Sequence, residues 1–210
     1  IRAGTTLAKA NNKTKVWIPG MGILYKINDE YNIFTSVHKG FSPPGVKAGE
    51  DAESSLNTEL GFRFHKNALQ GEIIGYYNNF SNLQGSDSMS GGGAGTGDLF
   101  NAGEAIVKGI EVLATYEVIN NREKGFKIPV TVSYTLTDTE LKNNFNSTIW
   151  GTVESGDEIP YIAKNQLAIT TAFETEKFNF ALSGKYVDAF RTAAGVGTIP
   201  ANNRVASNFI

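Results

Sequence analysis

From Phe126 to Leu136 every second residue is apolar: Phe126, Ile128, Val130, Val132, Tyr134 and Leu136 alternate with Lys127, Pro129, Thr131, Ser133 and Thr135. Three more runs behave alike. Leu56, Thr58, Leu60, Phe62 and Phe64 oppose Ser55, Asn57, Glu59, Gly61 and Arg63; Ala163, Asn165, Leu167, Ile169, Thr171 and Phe173 form another set, and Phe178, Phe180, Leu182, Gly184 and Tyr186 the last. Successive side chains of a strand point to opposite faces, so each run has one greasy and one polar side. The greasy sides hold no charged residue, whereas Glu59, Arg63, Lys127, Lys164 and Lys185 all fall on the polar sides. In a chain that is 19% charged, this is segregation. It predicts half-buried antiparallel strands, whose buried side can meet either a protein core or lipid.

Eight strands are predicted, over roughly 17–27, 31–40, 54–64, 69–81, 105–118, 126–138, 162–173 and 178–189, with a ninth starting near Arg204. Most exceed the usual five or six residues of soluble strands. They match the ~9–11 residues with which a tilted strand crosses bilayer hydrocarbon. The connections alternate in length, at roughly 3, 13, 4, 23, 7, 23, 4 and 14 residues. Short periplasmic turns and long extracellular loops give that alternation in an outer-membrane barrel. A soluble sandwich, with water at both ends, has no reason for it. Tyr31, Phe64, Tyr116, Phe126, Phe173 and Phe178 all lie where strands enter the short turns, as an interfacial aromatic girdle would.

Two residues disturb the pattern. Pro129 lacks the N–H that a ladder needs, so an irregularity is expected there. Lys108 falls in the apolar phase of Ile106, Ile110 and Val112, close to a long loop, and is expected to snorkel into the outer headgroup region.

Composition narrows the choice. Aromatic residues make up 11% of the 210 residues, glycine numbers 23, and the hydrophobic class reaches 40%, too high for a disordered chain. A net charge of -2 excludes a chain-wide basic footprint, so no nucleic-acid partner is expected. With no cysteine, disulfide scaffolds, thiolate-bound zinc and thiol nucleophiles fall away together. No window approaches a membrane helix, which leaves a membrane barrel open. The chain opens on Ile1 without a basic stretch and apolar core of a signal peptide, and is read as a piece of a longer protein.

The glycine-rich run Gly91–Gly97 lacks the Gly-Lys-Ser/Thr of a phosphate loop and precedes a strand, so it reads as a flexible external loop. His38 and His65 have no metal-ligand spacing, and Asp157 with Glu158 gives no legible carboxylate pair for glycoside chemistry. No catalytic residue, metal ligand or cofactor is expected.

Residues 22–44, GILYKINDEYNIFTSVHKGFSPP, resemble the strand–turn–strand and Gly-Phe-x-x-Pro segment of TonB-dependent outer-membrane receptors. Residues 54–60, SSLNTEL, followed by Gly61, are similar to that family's Glu-Thr-Ser-x-x-x-Glu-Leu-Gly strand opening, with Ser in place of Thr. YYNNFSNL at 76–83 and GIE at 109–111 match positions common in these barrels. GSDSMSGGGAGTGDLFNAGE at 85–104, GDEIP at 156–160 and YVDAFRT at 186–192 resemble most the ferric-citrate-receptor subgroup. The resemblance implies an all-β fold, an antiparallel transmembrane β-barrel of about 22 strands around an N-terminal plug, of which this chain supplies about 8–10 strands. It also implies import of a ferric chelate with energy relayed by TonB, and outer-membrane lipid and lipopolysaccharide as surroundings. Neither plug nor TonB box is legible, so residues 1–210 are read as a partial barrel domain. Its two open strand edges should keep it from inserting stably alone.

For such a receptor an anionic chelate calls for cations and hydrogen-bonding groups near the strand tops: Arg191, with Gln84, Asn101 and Asn144. Asn57, Glu59, Arg63, Glu111 and Gln166 lie in the polar phase and are expected to face the plug. A passive porin-type channel, another outer-membrane barrel such as a barrel enzyme, TonB-dependent import of a different cargo, and a soluble β-sandwich adhesin or glycan-binding module are the competing readings.

Overall fold

A computed structural model describes residues 15–44, 51–86, 99–121 and 125–210. The Gly91–Gly97 run lies outside them. In chain order the strands are β1 (Gly20–Lys26), β2 (Tyr31–Ser42), β3 (Glu53–Lys66), β4 (Leu69–Ser81), β5 (Gln84–Ser86), β6 (Leu99–Asn101), β7 (Ala105–Asn121) and β8 (Phe126–Leu141). There follow β9 (Phe145–Ser147), β10 (Gly151–Val153), β11 (Asn165–Thr175), β12 (Asn179–Val187), β13 (Phe190–Arg191), β14 (Arg204–Val205) and β15 (Asn208–Phe209).

Nine of these form one antiparallel sheet in the order β1-β2-β3-β4-β7-β8-β11-β12-β15, with β1 and β15 at its open edges. The register carries the sequence alternation across every strand. One row of directly opposed residues runs Tyr25, Ile33, Phe62, Ile73, Val112, Tyr134, Leu167, Tyr186, Phe209. The adjacent row, on the other face, runs Leu24, Phe34, Gly61, Ile74, Glu111, Thr135, Gln166, Val187, Asn208. A slip of one residue at any strand would exchange the two faces, so the shared pattern fixes the pairing. The first row starts beside a short turn at Ile33 and ends beside a long connection at Tyr186. That drift is the stagger that strand tilt imposes on a barrel wall.

No second layer of the described chain covers the apolar face. Leu60 is 62%, Leu182 65% and Phe180 66% exposed. A soluble protein does not leave a continuous apolar sheet face open to water. The face is bounded at both ends. Near the short turns Tyr31 stacks on Phe62 at 5.9 Å, Phe62 on Phe64 at 6.0 Å, Phe126 on Phe173 at 5.4 Å and Phe173 on Phe178 at 6.1 Å. Tyr116, 52% exposed, shares their face. Near the long connections a second row appears that sequence reading missed. The Tyr134 hydroxyl donates to Asn165 Oδ1 at 2.8 Å, and the Tyr186 hydroxyl reaches Asp188 Oδ1 at 3.5 Å. Lys108 belongs to this level. It does more than snorkel: its Nζ lies 3.4 Å from Asp138 Oδ2 on the neighbouring strand, and Lys164 Nζ lies 3.7 Å from Asp138 Oδ1. From Lys108 to Tyr116 the strand extends about 26 Å at ~3.3 Å per residue, or about 20 Å across the membrane at the tilt of such barrels.

The irregularity expected at Pro129 occurs on its partner strand: the β7–β8 register shifts between Glu117 and Ile119, opposite Pro129. With β11, pairing resumes in the same register on either side of Pro129, from Thr171–Val130 to Glu174–Lys127. Strand ends move where loops capture them. β11 starts at Asn165 and not at 162, because Ile162 packs into the loop core. The ninth sheet strand starts at Asn208, because Arg204 pairs with Arg191 in a separate ribbon. On the polar face a side chain on Gly61 would collide with the Phe34 ring, which lies over the glycine and fills the missing volume.

The two faces make opposite predictions for a cation placed at one level. Val132→Arg in the full-length protein should destabilise the folded barrel by about 2–4 kcal/mol, the cost of arginine at the bilayer midplane. Ser133→Arg, one residue away on the other face, should cost far less. Urea titration of the folded fraction in lipid vesicles, read by heat-modifiable gel mobility, measures both.

Candidate functional site: the polar face and the outer loop lobe

All five residues expected to face the plug lie on the polar face of the sheet. Asn57 Nδ2 donates to Ser55 Oγ at 3.0 Å, and Glu59 Oε2 accepts from Ser36 Oγ at 3.3 Å. Arg63 donates from Nε and one terminal nitrogen to Glu72 Oε2, at 3.1 and 2.9 Å, with its guanidinium 5.0 Å from the centre of the Phe34 ring. Glu111 is exposed, opposite Ile74 and Thr135, and Gln166 lies between Thr135 and Val187. Tyr76 crosses Gly109 on this face to bond Thr137 Oγ1 at 3.0 Å. These long polar groups stand among hydroxyls, glycines and a few apolar side chains such as Phe34 and Ile74, and are suited to hydrogen-bonding a second body.

The buried hydrophobic cluster lies at the loop end of the sheet, where the last residues of β7 and β8 meet the long connections. Ala102 and Ala105 are 0% exposed, and with Leu141, Trp150, Val153 and Ile159 they form a small core. Phe100 meets Trp150 edge-on at 5.0 Å. Three ribbons invisible to periodicity frame it: β5 with β6, β9 with β10, and β13 with β14. Local polar caps hold the turns. Ser147 Oγ accepts from the Ile149 and Trp150 amides, each at 3.1 Å; Asp157 Oδ2 accepts from the Glu154 amide at 2.8 Å. The buried Thr139 hydroxyl accepts from the Ile159 amide at 2.9 Å. The loops therefore form a packed lobe on one end of the wall.

The four residues expected to bind substrate all sit in this lobe, and each is engaged in building it. Gln84 donates from Nε2 to the Pro43 and Asp51 carbonyls, both at 3.2 Å, and its amide donates to Glu53 Oε2 at 2.7 Å. Asn101 Oδ1 accepts from the Gly103 amide at 2.8 Å, and Asn144 Oδ1 accepts from the Ser155 amide at 2.7 Å. Arg191, read from sequence as a loop cation, is only 4% exposed. Its Nε donates to Glu158 Oε2 at 2.7 Å and a terminal nitrogen to the Gly197 carbonyl at 3.1 Å. Backbone bonds tie the same two connections, from the Glu158 amide to the Gly195 carbonyl at 2.9 Å and from the Tyr161 amide to the Arg191 carbonyl at 2.8 Å. A cleft of about 480 Å³ opens beside this staple, lined among others by Lys164, Asp188, Arg191, Arg204 and Glu158. Three cations face two carboxylates there. Lys164 and Arg204 are exposed, and sequence reading singled out neither for binding.

An apolar-outside, polar-inside wall bounded by two aromatic belts, with a packed lobe at one end, is the architecture of an outer-membrane barrel section. Residues 2–208 match the family model described as TonB dependent receptor-like, beta-barrel, and the chain belongs to that family. Solved structures agree in fold. A ferric citrate transporter in its unliganded form has a TM-score of 0.65 at 17% identity, over 91% of this chain and 29% of that one. The ferric yersiniabactin uptake receptor from Yersinia pestis has 0.62 at 16%, over 90% and 28%. A copper transporter has 0.62 at 12%, over 91% and 29%. The chain thus spans under a third of the length of these structures. No curated protein matches it.

The Arg191 staple gives a direct test of the lobe. Arg191→Ala should leave Glu158 without its cation and loosen both connections, at the lower end of the about 3–5 kcal/mol for breaking a buried pair, because Glu158 keeps partial access to water. Amide hydrogen exchange should rise in 150–161 and 190–197 and stay unchanged in β3 and β4. Arg191→Lys should not restore protection, since an ammonium cannot reproduce the fork of the guanidinium.

Proposed function

We propose that the chain is part of an outer-membrane receptor that imports an anionic ferric chelate, of the ferric citrate kind, with energy relayed through TonB. The observation that carries this reading is the pairing of a lipid-type outer face with a polar inner face, beneath a packed loop lobe that holds a cation-lined cleft. Iron delivered as a chelate needs no ligands from the receptor and no resident cofactor. What the receptor must recognise is the negative charge and oxygen-rich surface of the complex, and Arg204, exposed beside the Arg191 staple, offers a solvated cation for that. Arg191 acts by setting the cleft wall. Gln84, Asn101 and Asn144 present their remaining polar atoms from fixed loops.

In this reading the plug and the remaining barrel strands come from the rest of the full-length protein. Asn57, Glu59, Arg63, Glu111 and Gln166 hydrogen-bond the plug, which blocks the lumen until TonB rearranges it. Selectivity then resides in the lobe and energy coupling in the plug, so the barrel wall itself does no chemistry. The copper transporter among the structural neighbours shows why cargo has to be tested apart from fold.

Uptake of radiolabelled ferric citrate into iron-starved cells carrying or lacking the full-length gene tests the proposal, each with and without TonB. Uptake should require both. Uptake that survives TonB removal would indicate a passive channel, and gene-dependent uptake of copper in place of ferric citrate would indicate a different cargo. Arg204→Ala should weaken half-saturation several-fold while receptor abundance in the membrane is unchanged.

A further inference from the structure

Lys185 lies on the inner face of β12, between outward Gly184 and Tyr186 and two residues before the strand ends at Val187 on the loop side. Its backbone is fixed on both flanks. It pairs with Ala168 of β11, and it exchanges amide–carbonyl bonds of 2.8 and 2.9 Å with Ile210. Its neighbours on this face include Gln166, Ala168 and Thr170 of β11 and Ser183 and Val187 of β12, none of them charged. Thr170 and Ser183 satisfy each other, hydroxyl to hydroxyl at 2.8 Å. The lysine is exposed, and among the described residues its ammonium has no ion-pair partner. By register the nearest inner-face carboxylate is Glu111, three strands away across Thr135 and Gln166, or about 14 Å at ~4.8 Å per strand.

Two other inward cations are already paired, Arg63 with Glu72 and Lys127 with Glu174, each at 2.9 Å. Lys26 stands at the turn-side end of β1, far from the lobe. The wall is also uneven in charge. The inner face of β3, β4 and β7 carries Glu59, Glu72, Glu111 and Glu117 against Arg63. An anion descending from the lobe is repelled by those strands and drawn towards β12, where Lys185 stands unopposed. A solvated ammonium exchanges water for an anionic oxygen readily, and the bond strengthens as a bulky complex excludes water around it. The long groups suited to hydrogen-bonding a second protein body lie mainly on β3, β4 and β7, so a lysine among small side chains on β11 and β12 has a different task.

We infer that Lys185 is a direct contact for the anionic cargo on the lumen wall: below the lobe, its ammonium takes a carboxylate oxygen of the chelate. The inference rests on the import reading above and adds to it the stretch of wall against which the cargo is held. It makes the contact a point charge on an open surface, so another cation at this position should serve.

The purified full-length receptor is equilibrated with radiolabelled ferric citrate across a dialysis membrane. Lys185→Gln should weaken binding about tenfold, the loss of one charge-assisted contact. Ala168→Glu, which sets a carboxylate directly opposite the intact lysine, should weaken it at least as much. Lys185→Arg should stay within about twofold of wild type, because the charge is kept. Raising salt should weaken wild type more steeply than Lys185→Gln. All three variants should keep wild-type heat-modifiable mobility, since the lipid-facing side is unchanged. Binding by Lys185→Gln equal to wild type would overturn the contact and leave the import reading standing. Equal losses in Lys185→Gln and Lys185→Arg would do the same, because they indicate a packing role. A wild-type receptor that binds no ferric citrate would overturn the import reading, and the contact with it.

Discussion

Hydrocarbon offers no hydrogen bonds, and that constraint organises this chain. A strand that crosses it must place every backbone N–H and C=O against another strand. The nine-strand ladder does so between its open edges, and once pairing is obligatory, only the side chains remain free to answer to the two surroundings. They alternate because the backbone does. The same row that carries Ile73, Val112 and Leu167 outward leaves Glu111, Thr135 and Gln166 inward, one residue apart. No interior layer is needed for such a wall, which is why the buried core gathers at its loop end and not behind the sheet.

Charges on the outer face follow from the same constraint. Between Lys108 and Tyr116 the outward positions of β7 are Ile110, Val112 and Ala114, with no charge. Lys108 and Asp138 meet at the loop-side boundary, and Lys66 with Glu30 at the turn side, 3.4 Å apart. Tyrosines and phenylalanines mark both boundaries, because a ring tolerates the apolar side while a hydroxyl finds a partner in the polar one. The polar face obeys a different rule. There Phe34 covers Gly61 and Tyr76 covers Gly109, so aromatic rings restore packing where small residues let the wall bend or let another body approach.

The wall was legible in the sequence to within a few residues, because period-two alternation is a local signal and each strand carries its own copy. The β4 range from Leu69 to Ser81 coincides with its pattern, and β8 with its alternation from Phe126. The lobe was not legible. Its ribbons have two or three residues each and arise from packing around Trp150, which no period announces. Arg191 illustrates the difficulty. Its partner Glu158 is 33 positions away, so nothing near it in the chain says that the guanidinium is buried and paired. Asp138 is a similar case: it closes the predicted strand in the apolar phase, and only the register brings it to Lys108. Sequence reading thus located the lobe's end of the wall from loop lengths, but could not tell which polar groups build the lobe and which stay free.

These 210 residues contain no cysteine, so single cysteines at 130 to 136 of the full-length protein, with any cysteine elsewhere in it replaced, can carry a nitroxide without background. Reconstituted in vesicles, positions 130, 132, 134 and 136 should relax through lipid-soluble oxygen and be shielded from an aqueous nickel chelate, while 131, 133 and 135 should not favour oxygen. A strict two-residue rhythm in that ratio is what a lipid-facing wall requires. A flat profile, or even-numbered positions open to the nickel chelate, would contradict it.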